Sequence, residues 1–147
     1  MDQKTLAHAL LTTAGDAILA VDAEGKITFW NPGAERIFGF SVDEALGQQL
    51  AIIIPEALRA RHEQGFRHTM ATGETRYGAG DLLAVPALTR DGRRISIEFS
   101  IVVLRDAAGA PQGVAAILRD VTLRFEETRA LRKKIAELGK KLQGSTE

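Results

Sequence analysis

The spacing of apolar residues changes several times along this chain, and each change marks an element. Leu6, Ala9, Leu10 and Thr13 recur at helical intervals, which predicts a short amphipathic leader helix over residues 3–13. Residues 17–21 and 26–30 read as strands joined by the turn Ala23-Glu-Gly-Lys26, where Gly25 suits a positive φ. Asn31 is placed to cap a helix that Pro32 opens, since a first helical position loses nothing when its N–H is missing. Ala34, Ile37 and Phe38 share the inner face of that helix, and Gly39 ends it. Ser41-Val-Asp-Glu44 is a capping-box pattern for a second short helix, which Gly47 stops. Residues 55–71 form the longest helical run of the globular part, with Leu58, His62, Phe66 and Thr69 on one stripe.

A two-residue period then takes over. Strands are expected at about 81–89, 93–104 and 112–121, with turns at Asp91-Gly92 and Asp106-Ala-Ala-Gly109. In the second of these strands Ile95, Ile97, Phe99, Ile101 and Val103 alternate with Ser96, Glu98 and Ser100, the pattern of a strand with one core face. The expected fold class is α+β: a five-stranded antiparallel sheet with helices on one face, an N-terminal leader helix and a C-terminal signalling helix. From Leu123 the composition changes, and Leu131, Ile135, Leu138 and Leu142 repeat at 4-3-4 spacing among Arg, Lys and Glu. That helix can pair as a short coiled coil, or fold back on the sheet as a monomer. The resulting divisions are a leader at 1–13, a globular domain at 14–122, a signalling helix at 123–142 and a tail at 143–147.

Composition narrows the function. The chain has 147 residues, 45% of them hydrophobic, enough for one domain with its own core. Lys+Arg and Asp+Glu number 19 each, so no net field draws the protein to nucleic acid or to an anionic membrane. The absence of Cys removes disulfides, thiolate metal sites and cysteine nucleophiles, and agrees with a reducing cytoplasm. The N-terminus carries neither a signal-peptide core nor a long apolar span, so a soluble cytoplasmic protein is expected. Catalytic patterns are missing: Glu35/Arg36 and Arg119/Asp120 are adjacent pairs, and Gly73, Gly78 and Gly80 lack the Lys-Ser/Thr of a phosphate loop. His8 lies in the leader, whereas His62 and His68 share a helix about 120° apart and cannot grip one metal together. On the stripe of Leu58 and Phe66, His62 has two readings. It is an imidazole with one nitrogen free for iron, or a core or rim histidine bonded to a carbonyl.

The segments 16–40, Arg90-Asp-Gly-Arg93 and Leu118-Arg-Asp-Val-Thr122 together resemble the PAS sensory module over residues 14–122. The resemblance implies the PAS fold, a non-catalytic regulatory role and a homodimer formed through the N- and C-terminal helices. It also implies an effector, such as a histidine kinase, beyond Glu147, because no phosphoacceptor helix follows Leu123. Arg119-Asp120 is similar to the family's strand-to-linker signature. The run Ile54-Pro-Glu-Ala-Leu-Arg-Ala-Arg-His62 resembles the helix that carries the proximal histidine of haem-PAS oxygen sensors. By that resemblance haem b is the cofactor, His62 its metal ligand, and Phe66, Leu83, Phe99 and Ile101 apolar lining. His68 would stand at the propionate edge, with Arg67 and Arg76 as nearby cations. The chain departs from the oxygen-sensor kinases on the strand before Asp91. There Asp81-Leu-Leu83-Ala84 offers no arginine to hydrogen-bond oxygen, so carbon monoxide, nitric oxide or redox sensing fits better. The cysteine-dependent flavin photoadduct is excluded. Non-covalent flavin, a small organic ligand or no cofactor are the alternatives.

Overall fold

A computed structural model of the chain describes residues 1–75 and 83–145, the side chains at 83 and 145 excepted. In chain order the elements are α1 (Gln3–Leu11), β1 (Ala17–Asp22), β2 (Ile27–Trp30), α2 (Pro32–Phe38), α3 (Val42–Ala45), a 3-10 turn (Leu50–Ile53), α4 (Glu56–Thr72), β3 (Leu83–Leu88), β4 (Arg94–Arg105), β5 (Pro111–Asp120) and α5 (Thr122–Ser145). The strands form one antiparallel sheet in the order β2-β1-β5-β4-β3. Ala17, Leu19, Val21, Ile95, Ile97, Ala116 and Leu118 alternate onto its inner face. There they bury against Ala34, Ile37 and Phe38 of α2 and Ala45 of α3.

Asn31 organises the first half of this core. Its Oδ1 accepts from the Ala34 N–H at 2.8 Å, capping α2, and from the Ile18 N–H of β1 at 2.8 Å. Its amide donates to the carbonyls of Thr13 and Asp16, both at 3.0 Å. One buried side chain therefore ties α2 to β1 and to the segment leading into it. Gly33 lets the two approach so closely that a Cβ there would collide with the Asp16 carbonyl. The expected capping box of α3 is present, with the Ser41 hydroxyl receiving the Glu44 N–H and the Glu44 carboxylate receiving the Ser41 N–H.

The two terminal helices differ from the core. α1 buries no residue, and every residue of α5 from Leu123 to Gly144 is exposed, so α5 leaves the sheet instead of folding back on it. α5 also runs to Ser145, past the expected limit at 142, because Gly144 weakens a helix without removing its backbone donor; Thr146 and Glu147 lie outside the described residues. The helix root is fixed: Asp120 accepts from the Thr122 N–H, the Thr122 hydroxyl accepts from the Ser96 N–H at 3.0 Å, and Arg124 pairs with Glu98 of β4. Arg119 pairs with Asp16 at 3.1 Å, so its charge is directed at the entry to β1 and not along α5.

Replacing Asn31 by Ala leaves several buried backbone groups without partners and should lower the unfolding free energy by about 3 kcal/mol or more in urea titrations. Asp2→Ala, which removes the cap of the unburied α1, should leave the urea midpoint unchanged while reducing helical circular dichroism.

Candidate functional site

A chain segment with no strand pattern builds one wall of the site. The Ile27 N–H donates to Gln48 O at 2.8 Å, the Gly47 N–H to Ile27 O at 2.8 Å and the Leu50 N–H to Gly25 O at 3.2 Å. These bonds stitch residues 47–50 to the edge of β2 and hold the 3-10 turn beside the β1–β2 turn. The Gln49 amide adds a bond to Glu24 O at 3.2 Å. α4 forms the opposite wall. Its start is fixed by the Arg59 Nε–H donating to Ile54 O at 3.0 Å, and its end by Arg105 donating to the carbonyl of Gly73.

Between these walls lies a cleft of about 460 Å³, within the ordinary range of small-molecule sites. Val21, Leu50, Ala51, Ile54 and Phe66 provide its apolar surface, while Gly25, Gln49, Arg59, His62, Glu63 and Arg67 supply polar groups. Gly25 at φ +82° brings backbone to the rim where a Cβ would meet the Gln49 side chain and the Phe66 ring. The His62 ring lies nearly parallel to Phe66, with centroids 6.5 Å apart and planes at 11°.

His62 touches solvent on one side and is crowded by protein on the other. Desolvation on the crowded side lowers its pKa below the ordinary 6.5, partly opposed by the Glu63 carboxylate. The imidazole is therefore neutral at pH 7, and neither nitrogen has a hydrogen-bond partner among the described residues. Among the described residues no carbonyl accepts a hydrogen bond from His62. Glu63 pairs with Arg67 at 2.6 Å one helical turn away.

Of the residues the sequence singles out, His62 and Phe66 come together in the cleft, and Arg67 joins them. Phe99 and Ile101 do face inward on β4, opposite Leu118 and Ala116 of β5, and stay half-buried against the core. They are absent from the cleft lining because the cleft opens toward the β1–β2 turn, at the other side of the sheet from β3 and β4. Leu83 pairs with Phe99 at the start of β3; its side chain, Arg76, Asp81 and Leu82 lie outside the described residues. His68 is exposed and does not line the cleft, being rotated from His62 by the helical twist. Thr69 is buried, as its place on the expected stripe implies, while the cleft face of α4 is the overlapping set Arg59, His62, Glu63, Phe66 and Arg67. That i, i+3, i+4, i+7, i+8 spacing was legible in the sequence. The stitching of residues 47–50 to β2, which supplies Gln49 and Leu50, was not. Among the described residues no three His, Asp or Glu are grouped to hold a metal.

Because folding disfavours the charged ring, the contribution of neutral His62 to stability is complete above pH 6.5 and declines as pH falls below that value. An NMR titration of His62 should give a midpoint under 6.5. Phe66→Ala, by admitting water, should raise that midpoint, and Glu63→Gln should lower it further.

The model of the PAS fold family matches residues 11–126. Among curated proteins, the sensor protein FixL of Bradyrhizobium diazoefficiens is 31% identical over 121 residues, covering 82% of this chain and 23% of that protein. The oxygen sensor protein DosP of Escherichia coli is 26% identical over 114 residues, 76% of this chain and 14% of that protein. The signal transduction histidine-protein kinase AtoS of Escherichia coli is 28% identical over 147 residues, 97% of this chain and 22% of that protein. The chain thus spans less than a quarter of each of these relatives. A solved PAS domain from Colwellia psychrerythraea superposes with a TM-score of 0.68 at 24% identity, covering 81% of this chain and 96% of that one. With the sheet order, the buried face and the matched span in agreement, the chain belongs to the PAS fold family.

Proposed function

We propose that this PAS domain is a cytoplasmic sensor that binds haem b in the cleft between α4, the 3-10 turn and the β1–β2 turn, with His62 on the iron. The observation that carries the reading is the His62 imidazole, which has no hydrogen-bond partner among the described residues and opens on the cleft beside Phe66. Phe66, Leu50 and Ile54 suit the flat apolar body of such a group, and Arg59 and Arg67 suit its carboxylates. Phe99 and Ile101, half-buried on the inner sheet face, are assigned to a second apolar layer, with Leu83 on the paired strand. Haem would supply a redox-active iron able to take a small gas. Similarity to a sensor protein and an oxygen sensor protein supports the same reading.

The chain's own residues carry the signal onward. A change of packing at Val21 or Phe66 strains β1 and its partner β5, and β5 runs directly into α5 through Asp120 and Thr122. A ligand acts in this way only through its differential affinity for two states. Leu131, Ile135 and Leu138 are more than half exposed and offer a seam for a second copy, whose register would control an effector such as a histidine kinase. Those exposed side chains also favour a second reading, a cofactor-free dimerisation module. No helix among the described residues is long and apolar enough to cross a membrane.

Haemin added to the purified chain under reducing conditions should produce a sharp Soret band that His62→Ala abolishes while far-ultraviolet circular dichroism is retained. Absence of the band would leave the cofactor-free module. Independently, Leu131→Asn with Ile135→Asn should halve the mass measured by light scattering; an unchanged mass would contradict pairing through α5.

A further inference from the structure

Among the charges around the cleft, one has no opposite partner among the described residues. Five ionisable side chains line it: Glu24, Arg59, His62, Glu63 and Arg67. Glu63 is matched by Arg67 at 2.6 Å, and Glu24 by Lys26 at 3.4 Å. Arg59 has no carboxylate among the described residues. Its Nε–H is spent on the Ile54 carbonyl, which anchors the guanidinium of this exposed side chain at the foot of the 3-10 turn, and its two terminal NH2 groups have no acceptor among the described residues. Arg59 also stands three residues before His62, on the same face of α4, so one molecule can reach both. A guanidinium presents a planar fork that matches a carboxylate.

We propose that Arg59 is the anion anchor of the cleft, so that its ligand is a flat apolar molecule bearing a carboxylate that sits on Arg59. The proposal rests on the haem reading above and deepens it: a propionate would lie on Arg59, three residues before His62, and not on His68. His68 is exposed, does not line the cleft and lies six residues beyond His62. Arg67 is the weaker candidate, because its guanidinium already holds Glu63.

Three probes separate the charge from the metal: haemin, haemin dimethyl ester, whose carboxylates are masked, and metal-free protoporphyrin IX. With the whole chain, Arg59→Ala should weaken haemin and protoporphyrin IX by about tenfold or more and leave the dimethyl ester unchanged. Arg59→Lys should recover part of the loss, and His68→Ala should alter none of the three affinities. His62→Ala should weaken haemin and its ester but not protoporphyrin IX. Equal weakening of haemin and its ester by Arg59→Ala would overturn the proposal, as would an unchanged haemin affinity or a loss on His68→Ala. If haemin gives no His62-dependent band while protoporphyrin IX binds through Arg59, the haem reading falls and the anchor stands. If no probe binds, both fall.

Discussion

Four hydrogen bonds converge on the buried side chain of Asn31, and the position of everything on the inner face of the sheet follows from them. An amide is the smallest group that both accepts and donates twice. Here it closes α2, pins β1 and holds the carbonyls of Thr13 and Asp16. With β1 and α2 fixed, Trp30 can lay its ring 5.5 Å from Phe38 and donate its indole N–H to Phe40 O at 3.0 Å. The same constraint sets where the β1–β2 turn projects, and so where the cleft lies.

The cleft is made from two tethers, not from a continuous wall. Backbone bonds hold residues 47–50 along β2, and arginines hold both ends of α4: Arg59 at Ile54 and Arg105 at Gly73. Between those anchors α4 presents Arg59, His62, Glu63, Phe66 and Arg67 to the cleft, and the apolar surface comes chiefly from Val21, Leu50, Ala51, Ile54 and Phe66. His62 stands between the two arginines of that face and stacks on Phe66. At the far end of β5 from the β1–β2 turn, Asp120, Thr122 and Ser96 fix the root of α5, and every residue from Leu123 to Gly144 is exposed.

Local signals in the sequence carried most of the elements. Pro32, Gly39, Ser41 and the turn at Gly25 each impose a backbone constraint that needs no knowledge of the rest of the chain, and all four act as expected. The alternation from Ile95 to Val103 likewise identified the inner face of β4. Features that depend on distant partners were hidden. Lys26 pairs with Gln49 as an isolated bridge, so no alternating pattern announces the wall it creates. Helical periodicity placed His62, Phe66 and the buried Thr69 on one face, but did not show that Arg59 and Arg67 join His62 and Phe66 in the cleft. Phe99 and Ile101 face inward as their alternation implies, but the cleft lined by His62 and Phe66 lies nearer the β1–β2 turn. Inwardness is a local property, whereas lining a shared cavity depends on strand order.

We propose that the imidazole of His62 is held ready as a ligand within this cleft. Resonance Raman spectroscopy of the reduced haem complex tests it most directly. The iron–histidine stretching band should shift when the histidines carry 15N, vanish in His62→Gly, and return when free imidazole is supplied to that variant. A band that persists in His62→Gly without imidazole, or that ignores the 15N label, would contradict the account.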